Sequence, residues 1–466
     1  MKKKHLHILG ICGTAMAAIA CLAGKRGYHV TGSDSGIYPP MSDYLEAMGI
    51  AVTEFDAENL VPRPDLVVVG NAVSRGNVEV ETVLDDGIPY TSGAQFLHDH
   101  ILPGRHSVVV AGTHGKTTTA SLMAHVLDTA GLSPGFLIGG VPENFGGGAR
   151  LGEGEPFVLE GDEYDTAFFD KRSKFIHYQP RTLILNNLEY DHADIFPDLE
   201  AIKTQFHHLV RTVPASGHLI FNADDTNIVD VLARGSWTPL FGFAERGGET
   251  EAGWQWESLS GDGSRFRLWC DDAVFIEAEW SMIGRHHVAN ACAVAVAATM
   301  LGVSAATISK GFETFAGIRR RMTLMGEVDG VRVYDDFAHH PTAIEGVVSA
   351  MGSRLGPGER LWVVVEPRSN TMRMNIHQVR LPDCFEAANF VLFVPPSQRN
   401  LRPEQALDVE RVCREIGEHA SVLPDAEAII QYLTEHAKSG DYVLILSNGG
   451  FEDIHKRLLK ALSGRE

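Results

Sequence analysis

The chain has 466 residues, 44% hydrophobic and 21% charged, the proportions of an ordinary globular protein too long for a single core. Its 40 basic and 60 acidic side chains leave a net charge of −20, which argues against general binding to nucleic acid or anionic membranes but leaves room for an anionic small substrate held by a local basic cluster. Six scattered cysteines without a CxxC pair read as reduced thiols, and a cytoplasmic location is expected.

The basic start Met1 to Lys4 and the apolar run Leu6 to Ala23 imitate a signal peptide. The glycines inside that run fit better a strand (His5–Leu9), a turn (Gly10 to Gly13) and a helix (Thr14 to Gly24). Strands at His29–Gly32 and Leu66–Gly70 and a helix over Pro40 to Met48 continue the alternation, which predicts a Rossmann-like parallel sheet with a ligand crevice at its strand ends over residues 1–103. Counted from Gly10, the second and third glycines of a dinucleotide fingerprint are replaced by Cys12 and Ala15. A redox cofactor is therefore not indicated, and a different nucleotide with a diphosphate suits the same turn. No stretch is long and apolar enough for membrane insertion.

Pro103-Gly104 reads as a linker into a second domain, 104–316. There the strand Val108 to Ala111 runs into Gly112-Thr113-His114-Gly115-Lys116-Thr117-Thr118, and a helical pattern follows through Leu127. Strand, glycine-bracketed turn and helix are the setting of a phosphate-binding loop, in which backbone N–H groups meet phosphate oxygens, Lys116 reaches the terminal phosphates and Thr117 can hold Mg²⁺. The spacing is shorter than the usual motif, because Gly112 lies close before Gly115. Predicted strands Phe157–Glu160 and Thr182–Asn187 end in Glu160-Gly161-Asp162-Glu163 and Asn187-Leu188-Glu189-Tyr190-Asp191-His192, and a further strand spans His218–Phe221. Such ends open beside the loop in a parallel sheet and offer oxygen and imidazole ligands for a metal bridging phosphates. Trp254–Leu259, Arg265–Cys270 and Val274–Trp280 alternate as antiparallel strands do, and helical periodicity returns from Ile283 to Met300.

A third, again Rossmann-like α/β domain is expected over 317–466, with strands Val331–Tyr334, Trp362–Val365, Val391–Val394 and Tyr442–Leu446 and helices Thr342–Met351 and Ala426–His436. Its polar strand ends, Asp335 to Pro341, Glu366 to Thr371 and Ser447 to Phe451, and the Arg319-Arg320-Arg321 run at the junction could serve a triphosphate and a second substrate. Three α/β domains with a phosphate loop in the middle suit an ATP-dependent ligase, which needs an acid, ATP and an amine; a kinase would not need both flanking domains.

The Gly112–Thr118 loop, the Asn187–His192 segment, Gly284-Arg285-His286 through Asn290, and Arg320-Arg321 resemble the signatures of the Mur ligases, the ATP-dependent amide-forming family of peptidoglycan synthesis, in order and spacing. Gly10 to Met16, Glu160 to Glu163 and Asp335 to Pro341 resemble the branch that acts on UDP-N-acetylmuramate with L-alanine. Asp170 to Phe175, Asn186 to Glu189, Glu366 to Met372 and Ser447 to Phe451 are closer to the branch that adds L-alanyl-γ-D-glutamyl-meso-diaminopimelate in peptidoglycan recycling.

The resemblance implies a UDP-sugar site at Gly10, Gly13, Ser33, Asp34 and Asn71. It implies an ATP site at Gly112, Thr113, His114, Gly115, Lys116, Thr117 and Thr118, with Asn290 at the adenine, Arg321 at the γ-phosphate and Asp336 at the ribose. Mg²⁺ would be held by Thr117, Glu160 and His192, and the tripeptide by Arg368, Asn370, Ser447 and Asn448. Lys116, His192 and Arg321 are the implied catalytic residues, and His339 and His192 the candidates for taking the amine proton. In two departures, His287 replaces the Asn expected after Gly-x-His, and Lys203 lies in a setting unlike that of the carbamylated lysine of several relatives. An L-alanine-adding ligase and a non-catalytic ATP-binding module are the competing readings.

Overall fold

A computed structural model describes residues 3–37, 41–398 and 401–464. Met1, Lys2 and Pro40, the last at the start of a predicted helix, lie outside the described residues. Five parallel strands form the first sheet: β1 (His5–Leu9), β2 (His29–Ser33), β3 (Ala51–Thr53), β4 (Leu66–Val69) and β5 (Tyr90–Ser92). Their order is β3-β2-β1-β4-β5. The chain reverses direction across the sheet between β1 and β4, so the turns after those two strands, at Gly10 and Gly70, flank the crevice where a doubly wound sheet binds ligands. The helix Thr14–Lys25 follows β1 directly, in place of the secretory signal that the first residues imitate. Among the described residues no helix is long and apolar enough to cross a membrane.

The second sheet has ten strands: β6 (His106–Ala111), β7 (Gly135–Leu137), β8 (Ala149–Arg150), β9 (Pro156–Gly161), then, after a separate hairpin β10–β11 (Asp165–Ala167 and Asp170–Ser173), β12 (Thr182–Leu185), β13 (His218–Asn222), β14 (Leu240–Glu245), β15 (Trp254–Ser258), β16 (Arg265–Cys270) and β17 (Ala273–Glu279). β6 lies between β9 and β12, parallel to both. Val108–Ala111 are fully buried because helices cover both faces, which is why this strand is continuously apolar. The antiparallel extension appears as expected in β15–β17, joined to the parallel part through a parallel β14–β15 pair. β14, with its alternating Leu-Phe-Gly-Phe, and the short β7 and β8 carry too little pattern to be legible in the sequence.

The third sheet comprises β18 (Thr323–Val328), β19 (Val331–Asp336), β20 (Arg360–Val365), β21 (Phe390–Phe393), β22 (Ala420–Val422) and β23 (Asp441–Leu446), in the order β18-β19-β23-β20-β21-β22. The sequence reading missed the edge strands β18 and β22. β18 is half exposed and β22 only partly buried, and β18 forms an antiparallel hairpin with β19 on an otherwise parallel sheet. A hydrophobic cluster runs from Leu6 and Ile19 through Phe96 and Ile101 to Phe157 and Phe206, so the first two sheets share apolar packing. The third sheet has separate clusters on its two faces, around Phe385 and Val363 on one and Trp362 and Ile429 on the other.

Candidate active site

Among the described residues three long helices begin on glycine without a side-chain cap; one is Arg285–Met300, after Gly284, and the other two follow predicted ligand-binding turns. Thr14–Lys25 starts after Gly13 and Lys116–Thr129 after Gly115, which leaves the first N–H groups of each helix open to an anion. Each opens on a cavity. The first, about 720 Å³, is lined by Gly10, Gly13, Asp34, Asn71 and Arg75 among others, and so collects four of the five residues expected at a UDP-sugar. Ser33 is the exception. It is fully buried, and its hydroxyl donates to Glu79 at 2.6 Å, so it faces away from the crevice and supports the fold. Asp34 accepts N–H bonds from Cys12 and Gly36, each at 2.9 Å, which stitches the first two strand ends together.

Behind this crevice Glu79 is sealed from water beside His7, with Nε2 3.1 Å from its carboxylate. Burial by itself would raise the Glu79 carboxyl, but bonds from His7, Asn59, Ser33 and the Asp56 N–H outweigh it and hold the group below its ordinary range. A depressed carboxyl contributes stability that is present above the unfolded value and lost as pH falls through the folded one. Lowering pH from about 5 toward 3 is therefore expected to reduce the urea midpoint of the wild type and to act less on Glu79→Gln. Glu79→Ala, which strands His7 and Ser33, is expected to cost about 3–5 kcal/mol at neutral pH. Equal pH slopes in wild type and Glu79→Gln would remove Glu79 from the account.

The second cavity, about 610 Å³, lies where β6, β9 and β12 end and the third sheet faces them. Lys116 Nζ donates to the Gly112 carbonyl at 2.7 Å and to Glu163 at 2.8 Å. Glu163 is 2% exposed and also takes His192 Nε2 at 2.9 Å. Burial opposes ionisation of all three groups, yet their mutual attraction wins. Lys116 and His192 are raised above their ordinary values, and Glu163 is held below its own. His192 Nε2 thus faces the Glu163 carboxylate, which favours a proton on that nitrogen. Of the three expected metal ligands, Thr117 and Glu160 do meet, Oγ1 to Oε1 at 2.9 Å, while Glu160 Oε2 accepts the Gly139 N–H at 2.7 Å. Two hard oxygen donors at the mouth of an uncapped helix fit a Mg²⁺–phosphate pair.

The other wall comes from the third unit and its junction. Arg321 lies 5.1 Å over the Phe337 ring, with no carboxylate paired to it among the described residues. Asp336 lines the same cavity; it is 2% exposed and its two oxygens accept the Met322 and Ala338 N–H groups, each at 2.7 Å, which ties the carboxylate to the junction. Asn290 enters from beneath Gly115, within 3.2 Å of where a Cβ on that glycine would stand, and accepts from Asn186. His287, buried against His286, has an unpartnered Nδ1, and burial keeps its imidazole neutral. His339 donates Nδ1–H to the Phe337 carbonyl at 3.0 Å, leaving Nε2 with the lone pair, and burial pushes this group down to about 4.

The residues expected at the tripeptide cluster elsewhere. β20 and β23 are parallel neighbours, so Glu366–Asn370 and Ser447–Gly450 emerge side by side. None of the four expected residues lines the phosphate-loop cavity. Ser447 is buried with its hydroxyl on Glu366, Arg368 is half exposed beside Glu366, and Asn370 donates to Asp194 at 2.9 Å. Asn448 keeps a buried Oδ1 without a partner. Ser447 therefore has no face to offer a substrate, and Arg368 and Asn448 are the better placed of the set. Lys203 is paired with Asp230 at 2.9 Å on the helix Leu199–Val210, outside the cavity.

Sequence reading left several contributors unassigned. Glu163 was visible only as one acid in a cluster. Phe243, on the unpredicted β14, and Trp256, on a strand predicted only as part of the antiparallel extension, line the cavity. Glu189 lies 2.8 Å from His114 Nε2 and accepts from Thr342 at 2.7 Å and from Arg380 at 3.3 Å, joining the loop to the third unit.

Three family models match the chain in sequence: the Mur ligase family catalytic domain over 5–104, the Mur ligase middle domain over 110–298, and the Mur ligase glutamate ligase domain over 320–449. The chain belongs to the Mur ligase family, and is a ligase of that ATP-dependent, amide-forming group. It is 46% identical over 460 residues, 98% of both chains, to the UDP-N-acetylmuramate–L-alanyl-γ-D-glutamyl-meso-2,6-diaminoheptandioate ligase of Escherichia coli K12. A murein peptide ligase from Psychrobacter arcticus 273-4 superposes with a TM-score of 0.74 at 44% identity over 99% of each chain. The UDP-N-acetylmuramate–L-alanine ligase of Acetivibrio thermocellus is 31% identical, covering 98% of this chain and 96% of its own.

Proposed function

We propose that this ligase joins the lactyl carboxylate of UDP-N-acetylmuramate to the tripeptide L-alanyl-γ-D-glutamyl-meso-diaminopimelate with ATP, in peptidoglycan recycling. One observation carries the chemistry: Lys116, the Thr117–Glu160 oxygen pair and the unpaired Arg321 face a single cavity walled by two units. The choice of tripeptide over L-alanine rests on the 46% identity to the Escherichia coli enzyme so named, against 31% to an alanine-adding one. We assign residues 1–103 to the UDP-sugar, 104–316 to ATP and 317–466 to the peptide.

In this reading Gly10, Gly13, Asp34 and Asn71 seat the UDP-sugar, and Gly112 to Thr118 seat the ATP phosphates. Thr117 and Glu160 would hold Mg²⁺, which when bound neutralises charge on the phosphates. Lys116 exchanges Glu163 for a phosphate oxygen, and Arg321 steadies the γ-phosphoryl group while the lactyl carboxylate attacks it and ADP leaves. The peptide amine then attacks the acyl phosphate carbonyl, phosphate departs, and His339 Nε2 accepts the amine proton. His339 is favoured over His192 for that step because its Nδ1 is spent on the Phe337 carbonyl and its Nε2 keeps a lone pair, whereas His192 Nε2 faces Glu163.

ADP release with UDP-N-acetylmuramate plus either amine tests the reading. Turnover is expected with the tripeptide. Turnover with L-alanine alone would reassign the chain to the alanine-adding branch, and no ADP with either amine would favour a non-catalytic ATP-binding module.

A further inference from the structure

Three side chains from separate segments converge beside the phosphate loop in a way the ligation does not use. His114 belongs to the loop, Glu189 to the segment after β12, and His340 caps the helix Pro341–Gly352 of the third unit. His114 Nε2 lies 2.8 Å from Glu189 Oε2 and His340 Nδ1 lies 3.4 Å from the same oxygen. The three ligand atoms stand within 4.8 Å of one another, with the two rings 4.2 Å apart. We propose that they form a site for a divalent transition-metal ion of the Zn²⁺ class, separate from the Thr117–Glu160 pair.

The donor set decides the class of ion. Two imidazoles and a carboxylate suit Zn²⁺ and its borderline neighbours, whereas Mg²⁺ takes oxygen ligands of the kind Thr117 and Glu160 offer. Ligands 2.0–2.1 Å from a tetrahedral centre stand about 3.3 Å apart; the two imidazole–carboxylate separations, 2.8 and 3.4 Å, lie within about half an ångström of that, and the two imidazole nitrogens stand no more than 4.8 Å apart. The carboxylate is already oriented. Thr342 Oγ1 donates to both its oxygens, at 2.9 and 2.7 Å, and Arg380 lies 3.3 Å from Oε1, which turns Oε2 toward the imidazoles. His340 is 3% exposed, and burial, with His114 beside it, keeps its ring neutral and its lone pair available. Among the described residues the other hydrogen bond of Nδ1 is from the Thr342 N–H at 3.4 Å, long enough to be given up. The three residues line the phosphate-loop cavity, from which water can complete the coordination.

The test uses the full-length protein, stripped of metal, dialysed against Co²⁺ and read by bound metal and visible absorption. One equivalent with the absorption of four-coordinate Co²⁺ is expected for the wild type and for Thr117→Ala. Binding more than about tenfold weaker is expected for the isosteric Glu189→Gln and for His340→Ala, with folding checked by circular dichroism. The proposal is overturned if the wild type retains no stoichiometric ion, if Glu189→Gln binds as tightly as wild type, or if Thr117→Ala loses the band. These readouts do not depend on ligase activity, so they stand apart from the assignment of substrates.

Discussion

Lys116→Ala is expected to abolish ADP release, lowering turnover by about a thousandfold or more, because the transferring phosphoryl group loses the cation that meets its developing charge. The same change has a second, opposite-looking consequence in the free protein. Glu163 is 2% exposed and is held ionised by Lys116 and His192 together. Removing the lysine leaves a buried carboxylate with half its compensation, and a loss of up to about 3–5 kcal/mol is expected by urea denaturation. Lys116→Ala/Glu163→Gln removes the stranded charge, so it should recover most of the stability and none of the activity. Turnover within tenfold of wild type in Lys116→Ala would take the lysine out of the mechanism. A double variant no more stable than the single one would show that the pair is not what holds this region.

Gly115→Ala should separate nucleotide binding from folding. Gly115 has φ +73° where the loop enters the helix Lys116–Thr129, a conformation that costs an alanine about 1–2 kcal/mol. A Cβ there would also stand 3.1 Å from the Asn290 carboxamide, which is fixed from the other side by Asn186. The loop must then shift its N–H groups away from the phosphates. ATP affinity is expected to fall about tenfold or more, by equilibrium titration, while the melting temperature moves by only a few degrees. Unchanged affinity would mean that the loop adapts to the new side chain without loss.

How much of this was legible in the sequence follows from what each element has to satisfy. Strands covered on both faces, such as Val108–Ala111 and Tyr442–Leu446, announce themselves as apolar runs, and the glycines after them mark the turns at which ligands bind. The edge strands β18 and β22 pack on one side or neither, so no such pattern exists to be read. Site residues on a motif at a parallel strand end, Lys116, Thr117, Glu160 and His192, do reach one cavity. Direction is harder to read than position. Ser33 and Ser447 sit at strand ends yet turn inward to Glu79 and Glu366, and Asp336 spends its oxygens on backbone N–H groups. Glu163 and Glu189 gain their roles only from partners brought near by the fold, Glu189 from Thr342 and Arg380 far along the chain.

The two seams between the units differ in kind. Between the first and second, Ile19, Ile101 and Phe157 belong to one apolar cluster. Between the second and third, the polar contacts include Glu189 with Thr342 and Arg380, Asn370 with Asp194, the Ala193 N–H with Thr371, Arg354 with Asp262 and Arg319 with Glu143, beside the His114–His340 ring contact and Ile318 packed into the second unit's apolar cluster. Water can replace polar contacts of this sort one at a time, and dissolved salt weakens the charged ones, whereas an oily seam opens only at the full cost of exposing its surface. The charged contacts of the second seam are therefore the ones expected to weaken as salt is raised, and the apolar cluster of the first seam is not.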